Sequence, residues 1–240
     1  MRLVLLDLAF LGAAASAHAQ QACILTVGYD GDAHGAGKRD QYARDARDVK
    51  AILEKKCAHP IAAAYCVAGK KAELATFMEK LEAIKRNASE EDVVILCFSV
   101  HGDTDEDGNF SVSLADKHLT GETLARAFDE IQGNVVILID TCGAGGMLNH
   151  CSANPNVCIL PGCGAQEETG GGKRNPLHGD YANAIYAAFS GAGDRDKDGT
   201  LTLAALDRDL LEPRSVRSSK HQHAVSSVPR QMATLQIVKP

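Results

Sequence analysis

Two apolar runs without polar alternation stand near the middle of the chain, at residues 93–100 and 135–139. Both are short and rich in β-branched residues, which is typical of strands buried on both faces of a parallel sheet. The segment between them, residues 119–128, places its apolar residues at helical spacing and offers Thr120 or Thr123 as an amino-terminal cap. The pattern therefore predicts a strand, a crossover helix and a second, parallel strand.

The same succession of strand and helix patterns extends over most of the remaining chain. Further strands are predicted at residues 22–28, 61–67, 156–160 and 233–238, and further helices at residues 40–56, 70–87, 181–190 and 203–211. Strands that alternate with helices predict an α/β fold. We expect a three-layer α-β-α sandwich around a mostly parallel central sheet of about six strands.

A reactive side chain follows each of the two central strands. His101 and Gly102 come directly after the first, and Cys142 comes shortly after the second. Consecutive parallel strands usually lie side by side, so their carboxyl ends meet at one edge of the sheet. An imidazole can take the proton of a thiol, and the thiolate can attack a carbonyl carbon. We therefore predict His101 and Cys142 as catalytic residues, with the N–H groups of Gly102 and Cys142 as oxyanion donors. The alternative for Cys142 is a disulfide.

These strand ends resemble the caspase-like cysteine peptidases, a family that includes metacaspases, legumains and clostripain-like enzymes. The resemblance rests on Val-His-Gly at residues 100–102 and on Asp-Thr-Cys-Gly at residues 140–143. The Asp-Ala pair at residues 45–46 and the segment 228–231 are similar to further parts of the family. The resemblance covers nearly all of residues 20–240 and implies a single caspase-like peptidase domain there.

Asp140 is the residue that bears on specificity. In the family this position lines the pocket for the residue before the cleaved bond, and an acid there resembles metacaspases, which cleave after arginine or lysine. A carboxylate also favours a guanidinium or ammonium group on physical grounds. The resemblance implies an endopeptidase with a Cys-His dyad, a peptide or protein substrate with a basic residue at the cut site, and no cofactor for the chemistry. The alternatives are an Asp140 that only caps or hydrogen-bonds the adjacent loop, and a non-catalytic protein of this fold that binds a peptide or partner protein.

Two acidic segments raise the question of calcium. Residues 103–107 carry four carboxylates and predict either a solvated turn or a calcium site or substrate-crevice extension. Residues 194–199 follow the D-x-D-x-D-G pattern of a calcium loop, with candidate ligands Asp194, Asp196, Asp198 and Thr200. Ala205 stands where the bidentate glutamate of such a loop is expected. We therefore expect weak Ca²⁺ binding at most, or a simple turn, and a calcium-responsive binding module is a third functional class.

The amino-terminal segment predicts export. Residues 1–19 have Arg2 near the start, an apolar stretch and Ala-His-Ala before Gln20, which is typical of a signal peptide, although Asp7 is unusual there. No later segment has transmembrane length, so a secreted or periplasmic protein without stable membrane insertion is expected. The net charge of −6 argues against a nucleic-acid partner.

Eight cysteines in an exported chain predict disulfides. If Cys142 stays a free thiol, seven cysteines remain, so at least one other is unpaired or pairs outside the chain. Cys57 and Cys66 are candidates to close a small loop, and one pair is expected among Cys151, Cys158 and Cys163. A zinc site formed by these last three with His150 is disfavoured, because their spacing lacks the usual C-x₂₋₄-C knuckles.

Overall fold

The computed structural model describes residues 19–31, 40–150, 154–170, 178–212 and 222–239. The predicted signal peptide, except for Ala19, lies outside these residues. The strands are β1 (Ala22–Tyr29), β2 (Ile61–Ala68), β3 (Val93–Val100), β4 (Gly102–Thr104), β5 (Phe110–Ser113), β6 (His118–Thr120), β7 (Asn134–Asp140), β8 (Val157–Pro161), β9 (Leu201–Thr202) and β10 (Gln236–Val238). The α-helices are α1 (Gln41–Lys56), α2 (Leu74–Asn87), α3 (Gly121–Asp129), α4 (Asp180–Ala187) and α5 (Leu203–Leu211).

Five parallel strands form the central sheet, in the order β2-β1-β3-β7-β8. Successive side chains of a strand point to opposite faces, and in β3 both faces are buried. Val94, Leu96 and Phe98 enter one hydrophobic core, whereas Ile95 and Cys97 enter the other. This double burial is the physical reason why β3 is a continuous apolar run in the sequence.

Helices cover both faces of the sheet. The core on one face includes residues of α1, α4 and α5, and the core on the other includes residues of α2 and α3. The helices are amphipathic: α1 buries Ala43, Ala46, Val49, Ile52 and Leu53, and α2 buries Phe77, Leu81 and Ile84. The predicted three-layer sandwich is therefore confirmed.

The central sheet has five strands rather than the expected six or so. β10 pairs antiparallel with β9 in a separate two-stranded sheet and does not extend the central one. The place beside β8 is taken by residues 225–227, which form a single antiparallel bridge between Ser227 and Ile159. An alternating apolar pattern at residues 233–238 identified a strand correctly, but a strand pattern carries no information about its partner.

A three-stranded antiparallel sheet, β4-β5-β6, directly follows His101. Its strand β5 alternates in burial, since Phe110 and Val112 are buried and Ser111 and Ser113 are partly exposed. β4 and β5 enclose residues 105–109, where Asp105 accepts hydrogen bonds from the N–H groups of Asp107 and Asn109. The sheet places Thr104 against the turn that carries Cys142.

The helices are short. α1, with 16 residues, is below the length of about 20 apolar residues that a membrane-spanning helix needs. No helix in the described part of the chain is both long and apolar enough to cross a membrane.

Candidate functional site

His101 and Cys142 follow strands that are neighbours in the sheet. Ser99 of β3 pairs with Asp140 of β7, and the two reactive residues come two positions after these partners. Parallel strands end at the same edge, so the imidazole and the thiol belong to one region of the surface. Both residues are partly exposed there. The structure therefore has the two adjacent strand ends that the predicted dyad requires.

The histidine ring is oriented by α1 and the loop before it. Nε2 of His101 lies 3.0 Å from the carbonyl oxygen of Asp30, and the ring of Tyr42 meets the imidazole edge-on at 4.9 Å. Asp30 is itself held, because its carboxylate accepts hydrogen bonds from the N–H groups of Tyr42 and Ala43 at the start of α1. A carbonyl oxygen only accepts, so Nε2 carries the proton in the neutral ring and Nδ1 is the basic nitrogen.

The turn after β7 holds Cys142 in place. Gly143 has a left-handed backbone with φ of 66°, its N–H donates to the Glu167 carbonyl at 2.8 Å, and its carbonyl accepts from Thr104 Oγ1 at 2.6 Å. A Cβ atom at Gly143 would lie 2.5 Å from the Thr104 nitrogen, so only glycine fits. The thiol itself lies 3.9 Å from Thr169 Oγ1. The nucleophile candidate thus stands on a tightly constrained turn.

The direction of the Gly102 N–H group follows from the ladder between β4 and β5. In the ladder between β4 and β5, Ser113 N–H donates to the His101 carbonyl at 2.7 Å and Asp105 N–H donates to the Asn109 carbonyl at 3.2 Å. Bonded and non-bonded pairs alternate in an antiparallel ladder, so the N–H of Gly102 points away from β5. A Cβ atom at Gly102 would lie 2.5 Å from Thr141 Oγ1 and 2.6 Å from the Ser111 carbonyl, which leaves no room for a side chain.

Three carboxylates are buried together under this edge of the sheet. Asp140 at the end of β7, Asp45 of α1 and Asp180 of α4 are 2%, 1% and 5% exposed. A Cβ built on Gly179 would lie 2.8 Å from Asp140 Oδ2 and 3.5 Å from Asp45 Oδ2, so this glycine lies against both groups. We call these three aspartates the acidic pocket. Asp45 and Asp140, with Ser99, also line a small cavity of about 10 Å³.

The acidic pocket lacks enough positive charge and hydrogen-bond donors for three ionised groups. Burial, together with the nearby Asp45, raises the pKa of Asp140 to about 8. Burial also raises the pKa of Asp45, although hydrogen bonds from His178 and Gly179 oppose that shift. Among the described residues, Asp180 Oδ2 is buried without a hydrogen-bond partner. Buried carboxylates that repel one another are stabilised by a cation between them.

Asp140 also hydrogen-bonds an adjacent segment, which is the alternative role considered for it in the sequence. Its Oδ2 accepts a hydrogen bond of 3.2 Å from the N–H of Ala182 in the first turns of α4. An acid near a helix amino terminus is favoured by the helix dipole as well. Asp140 therefore joins the end of β7 to α4 while it contributes to the acidic pocket.

The segment around Gln222 supports the loop behind Cys142. The amide of Gln222, which is 4% exposed, donates to the Gly162 carbonyl and accepts from the Gly170 N–H at 3.1 and 2.7 Å. The next residue, His223, lies with Nδ1 2.6 Å from Glu167 Oε1. Glu167 is the residue whose carbonyl binds the Gly143 N–H.

Three further residues at this site, His178, Gln222 and Tyr42, were not predicted from the sequence. All three lie far along the chain from the strand ends, and no motif includes them. For Asp45 the sequence did offer an indication, because this residue belongs to the Asp-Ala pair that resembles the caspase-like family.

The second acidic loop lies between α4 and α5. Carboxylate oxygens of Asp194, Asp196 and Asp198 lie within 4.8 Å of one another, which fits an oxygen-ligated cation. Thr200 instead donates both its N–H and its hydroxyl to Asp198 Oδ1. Ala205, at the position of the missing glutamate, donates its N–H to the cap residue Thr202 of α5. The loop therefore has a complete role as a turn into α5, and its ligand set is one carboxylate short.

No disulfide joins any two of the seven described cysteines. Cys57 and Cys66 are free thiols, so the small loop expected between them is not closed. Cys158 and Cys163 are buried, and the Cys163 thiol donates to the Thr141 carbonyl at 3.2 Å. Cys151 lies outside the described residues.

Comparison with known proteins supports the fold alone. Neither protein-family models nor curated proteins match the sequence. Among solved structures, the chain is similar to protein GSU0716 from Geobacter sulfurreducens, with a TM-score of 0.63 and 14% sequence identity. The match covers 86% of this chain and 92% of the other. At this level of identity, the similarity establishes a shared α/β architecture and carries no information about activity.

Proposed function

We propose that the chain is a cysteine endopeptidase that cleaves peptides after arginine or lysine, as its resemblance to caspase-like peptidases implies. The observation that carries this proposal is the acidic pocket, which is buried beneath the strand ends that bear His101 and Cys142. A thiol–imidazole pair supplies the chemistry, and a carboxylate pocket at the same edge supplies a reason for a basic side chain to bind there.

The proposed reaction has two stages. His101 takes the thiol proton of Cys142 through Nδ1, and the thiolate attacks the carbonyl carbon of the substrate, so a carbon–sulfur bond forms. The N–H groups of Gly102 and Cys142 stabilise the negative charge on the carbonyl oxygen. The carbon–nitrogen bond then breaks as His101 gives its proton to the departing amine. A water molecule, deprotonated by His101, hydrolyses the thioester and releases the thiol.

The substrate's basic side chain enters the acidic pocket. Guanidinium and ammonium groups donate several hydrogen bonds and carry a positive charge that offsets the negative charge of ionised carboxylates. A bound cation also favours the ionised form of Asp140, since an opposite charge nearby stabilises a carboxylate. The amino-terminal segment favours a secreted or periplasmic location for this enzyme.

A peptide panel tests the proposal. Peptides that end in arginine, lysine, asparagine or aspartate before a fluorogenic leaving group are incubated with reduced protein, with and without Ca²⁺. We expect cleavage after arginine and lysine, its loss in Cys142→Ala and His101→Ala, and full activity in the control Cys66→Ala, which removes a thiol on the edge strand β2. Cleavage after aspartate would contradict the role of the acidic pocket.

The panel also separates the alternative functions. If the folded protein cleaves none of the peptides, the result would favour a non-catalytic protein that binds a peptide or partner. Activity that persists in Cys142→Ala would assign the chemistry to another nucleophile. A melting temperature that rises on addition of Ca²⁺, and falls back in Asp196→Asn, would favour the calcium-responsive class.

A further inference from the structure

His178 lies beside the acidic pocket, with each ring nitrogen near a carboxylate of α1. Its Nδ1 lies 2.6 Å from Asp45 Oδ1, and its Nε2 lies 3.4 Å from Asp48 Oδ2. A carboxylate oxygen only accepts, so the imidazole donates its Nδ1 proton to Asp45. The ring is 15% exposed, whereas the Asp45 side chain is fully buried.

Acidic and aromatic groups lie around the ring. The acidic groups near His178 and its neighbour Gly179 are Asp45 and Asp48 of α1, Asp140 of β7 and Asp180 of α4. Tyr186 of α4 stacks on the imidazole, with ring centres 6.4 Å apart and planes inclined by 12°. The imidazole is thus held between α1 and α4.

The carboxylate of Asp45 has no room for a further hydrogen-bond donor while His178 is bound. Oδ1 contacts His178, and Oδ2 accepts hydrogen bonds from the Ser99 hydroxyl at 3.1 Å and from the Gly179 N–H at 3.2 Å. The cavity beside Asp45 and Asp140, about 10 Å³, has room for one water molecule and none for a guanidinium group. A substrate side chain therefore reaches Asp45 only if the imidazole leaves.

We propose that His178 is the internal partner of Asp45 in the acidic pocket, and that a substrate's arginine or lysine side chain binds by displacing the imidazole from Asp45. This inference rests on the proposed function for the identity of the incoming group. His178 is then a specificity-determining residue, because only a basic side chain brings both hydrogen-bond donors and a positive charge to the buried carboxylate that the imidazole leaves.

The test measures binding rather than turnover. All variants carry Cys142→Ala, and the ligands are N-acetyl-arginine amide and its uncharged analogue N-acetyl-citrulline amide, titrated by calorimetry at pH 6 and pH 8. Protonation of Asp45 and Asp140 weakens cation binding at acid pH in every variant. The diagnostic quantity is therefore the ratio of dissociation constants between the parent and each His178 variant at the same pH.

We expect His178→Gln to bind the arginine derivative about tenfold more tightly than the parent at pH 6, because one charge-assisted hydrogen bond no longer has to be broken. The same ratio is expected at pH 8, because the hydrogen bond from Nδ1 to Asp45 must be broken there too. His178→Lys places an ammonium group beside Asp45, so it should bind weakly at both pH values. The control His118→Gln, on β6, should match the parent, and melting curves establish that each variant is folded.

Two results would overturn the inference. Equal or weaker binding by His178→Gln at both pH values, with the arginine derivative still preferred over the citrulline derivative, would refute the role of His178 and leave the proposed function intact. Absence of arginine binding in every folded variant, together with a silent peptide panel, would refute both.

Discussion

Ser99 and Asp140 lie directly opposite each other in the parallel register of β3 and β7, and their side chains meet at the same buried acidic pocket. Ser99 donates its hydroxyl to Asp45, which brings α1 into the same cluster. The residues two positions beyond this pair are His101 and Cys142. The register of two strands therefore places the candidate chemistry and the candidate specificity pocket next to each other.

The first prediction concerns Asp140 and the dependence of stability on pH. Its pKa is raised to about 8 in the folded protein, from an ordinary value near 3.8. Below about pH 4 the group is neutral in both states. Between pH 4 and pH 8 the unfolded chain ionises while the folded chain stays neutral, so stability falls as the pH rises.

Asp140→Asn removes this loss while it keeps an oxygen for the Ala182 N–H. We expect little difference from wild type at pH 4 and a gain on the order of 1–3 kcal/mol in the free energy of unfolding at pH 7.5. Urea unfolding at several pH values measures it. The control Asp107→Asn removes a carboxylate at an exposed position outside the acidic pocket and should show no such gain at pH 7.5. A difference for Asp140→Asn that does not change with pH would contradict its raised pKa.

The second prediction concerns Gly143 and the turn that carries the nucleophile. Gly143→Ala adds a Cβ atom 2.5 Å from the Thr104 nitrogen, in a backbone conformation that already disfavours alanine. The turn must move, and Cys142 moves with it. We expect at least a tenfold loss of kcat/KM on arginine peptides, because small displacements of a reacting group are costly.

Gly69→Ala is the matched control for this substitution. Gly69 has nearly the same backbone angle, with φ of 63°, but an added Cβ would meet nothing within 4 Å. It should lose about 1 kcal/mol of stability from the backbone conformation alone and keep its activity. Equal activities of the two variants would show that the clash with Thr104 does not displace the Cys142 thiol.

The third prediction concerns Gln222 and the loop behind Cys142. Gln222→Ala leaves the buried Gly162 carbonyl and Gly170 N–H without their amide partner, which costs about 1–3 kcal/mol. Thr169, the neighbour of the Cys142 thiol, loses its support. We expect faster hydrogen exchange at the Gly170 amide and a several-fold lower kcat.

Gln231→Ala serves as the control for Gln222→Ala. Its amide also donates to a backbone carbonyl, that of Pro155 at 2.7 Å, but at an exposed position. Water can replace that bond, so the variant should resemble wild type in stability and activity. A Gln222→Ala protein with unchanged exchange at Gly170 would rule out the supporting role.

Local pattern was a good guide wherever burial alone decides the structure. The run 93–100 had to be a strand covered on both faces, because seven of its eight residues are apolar and polar residues do not alternate with them, and it is. The amphipathic stripes of α1 and α2 likewise specified helices with one buried side. The strand that pairs with β10 could not be predicted in this way, since an alternating run pairs equally well with any available sheet edge.

The sequence by itself determined which segments form strands and helices, and that His101 and Cys142 each come just after a buried strand. Those properties follow from hydrophobic periodicity, which acts over a few residues. Only the tertiary structure decided that Asp45, Asp140 and Asp180 form one pocket and that His178 binds Asp45 from 133 positions away. Such contacts depend on the strand order and on how helices cover the sheet. Their energies come from mutual burial and charge, which no local pattern records.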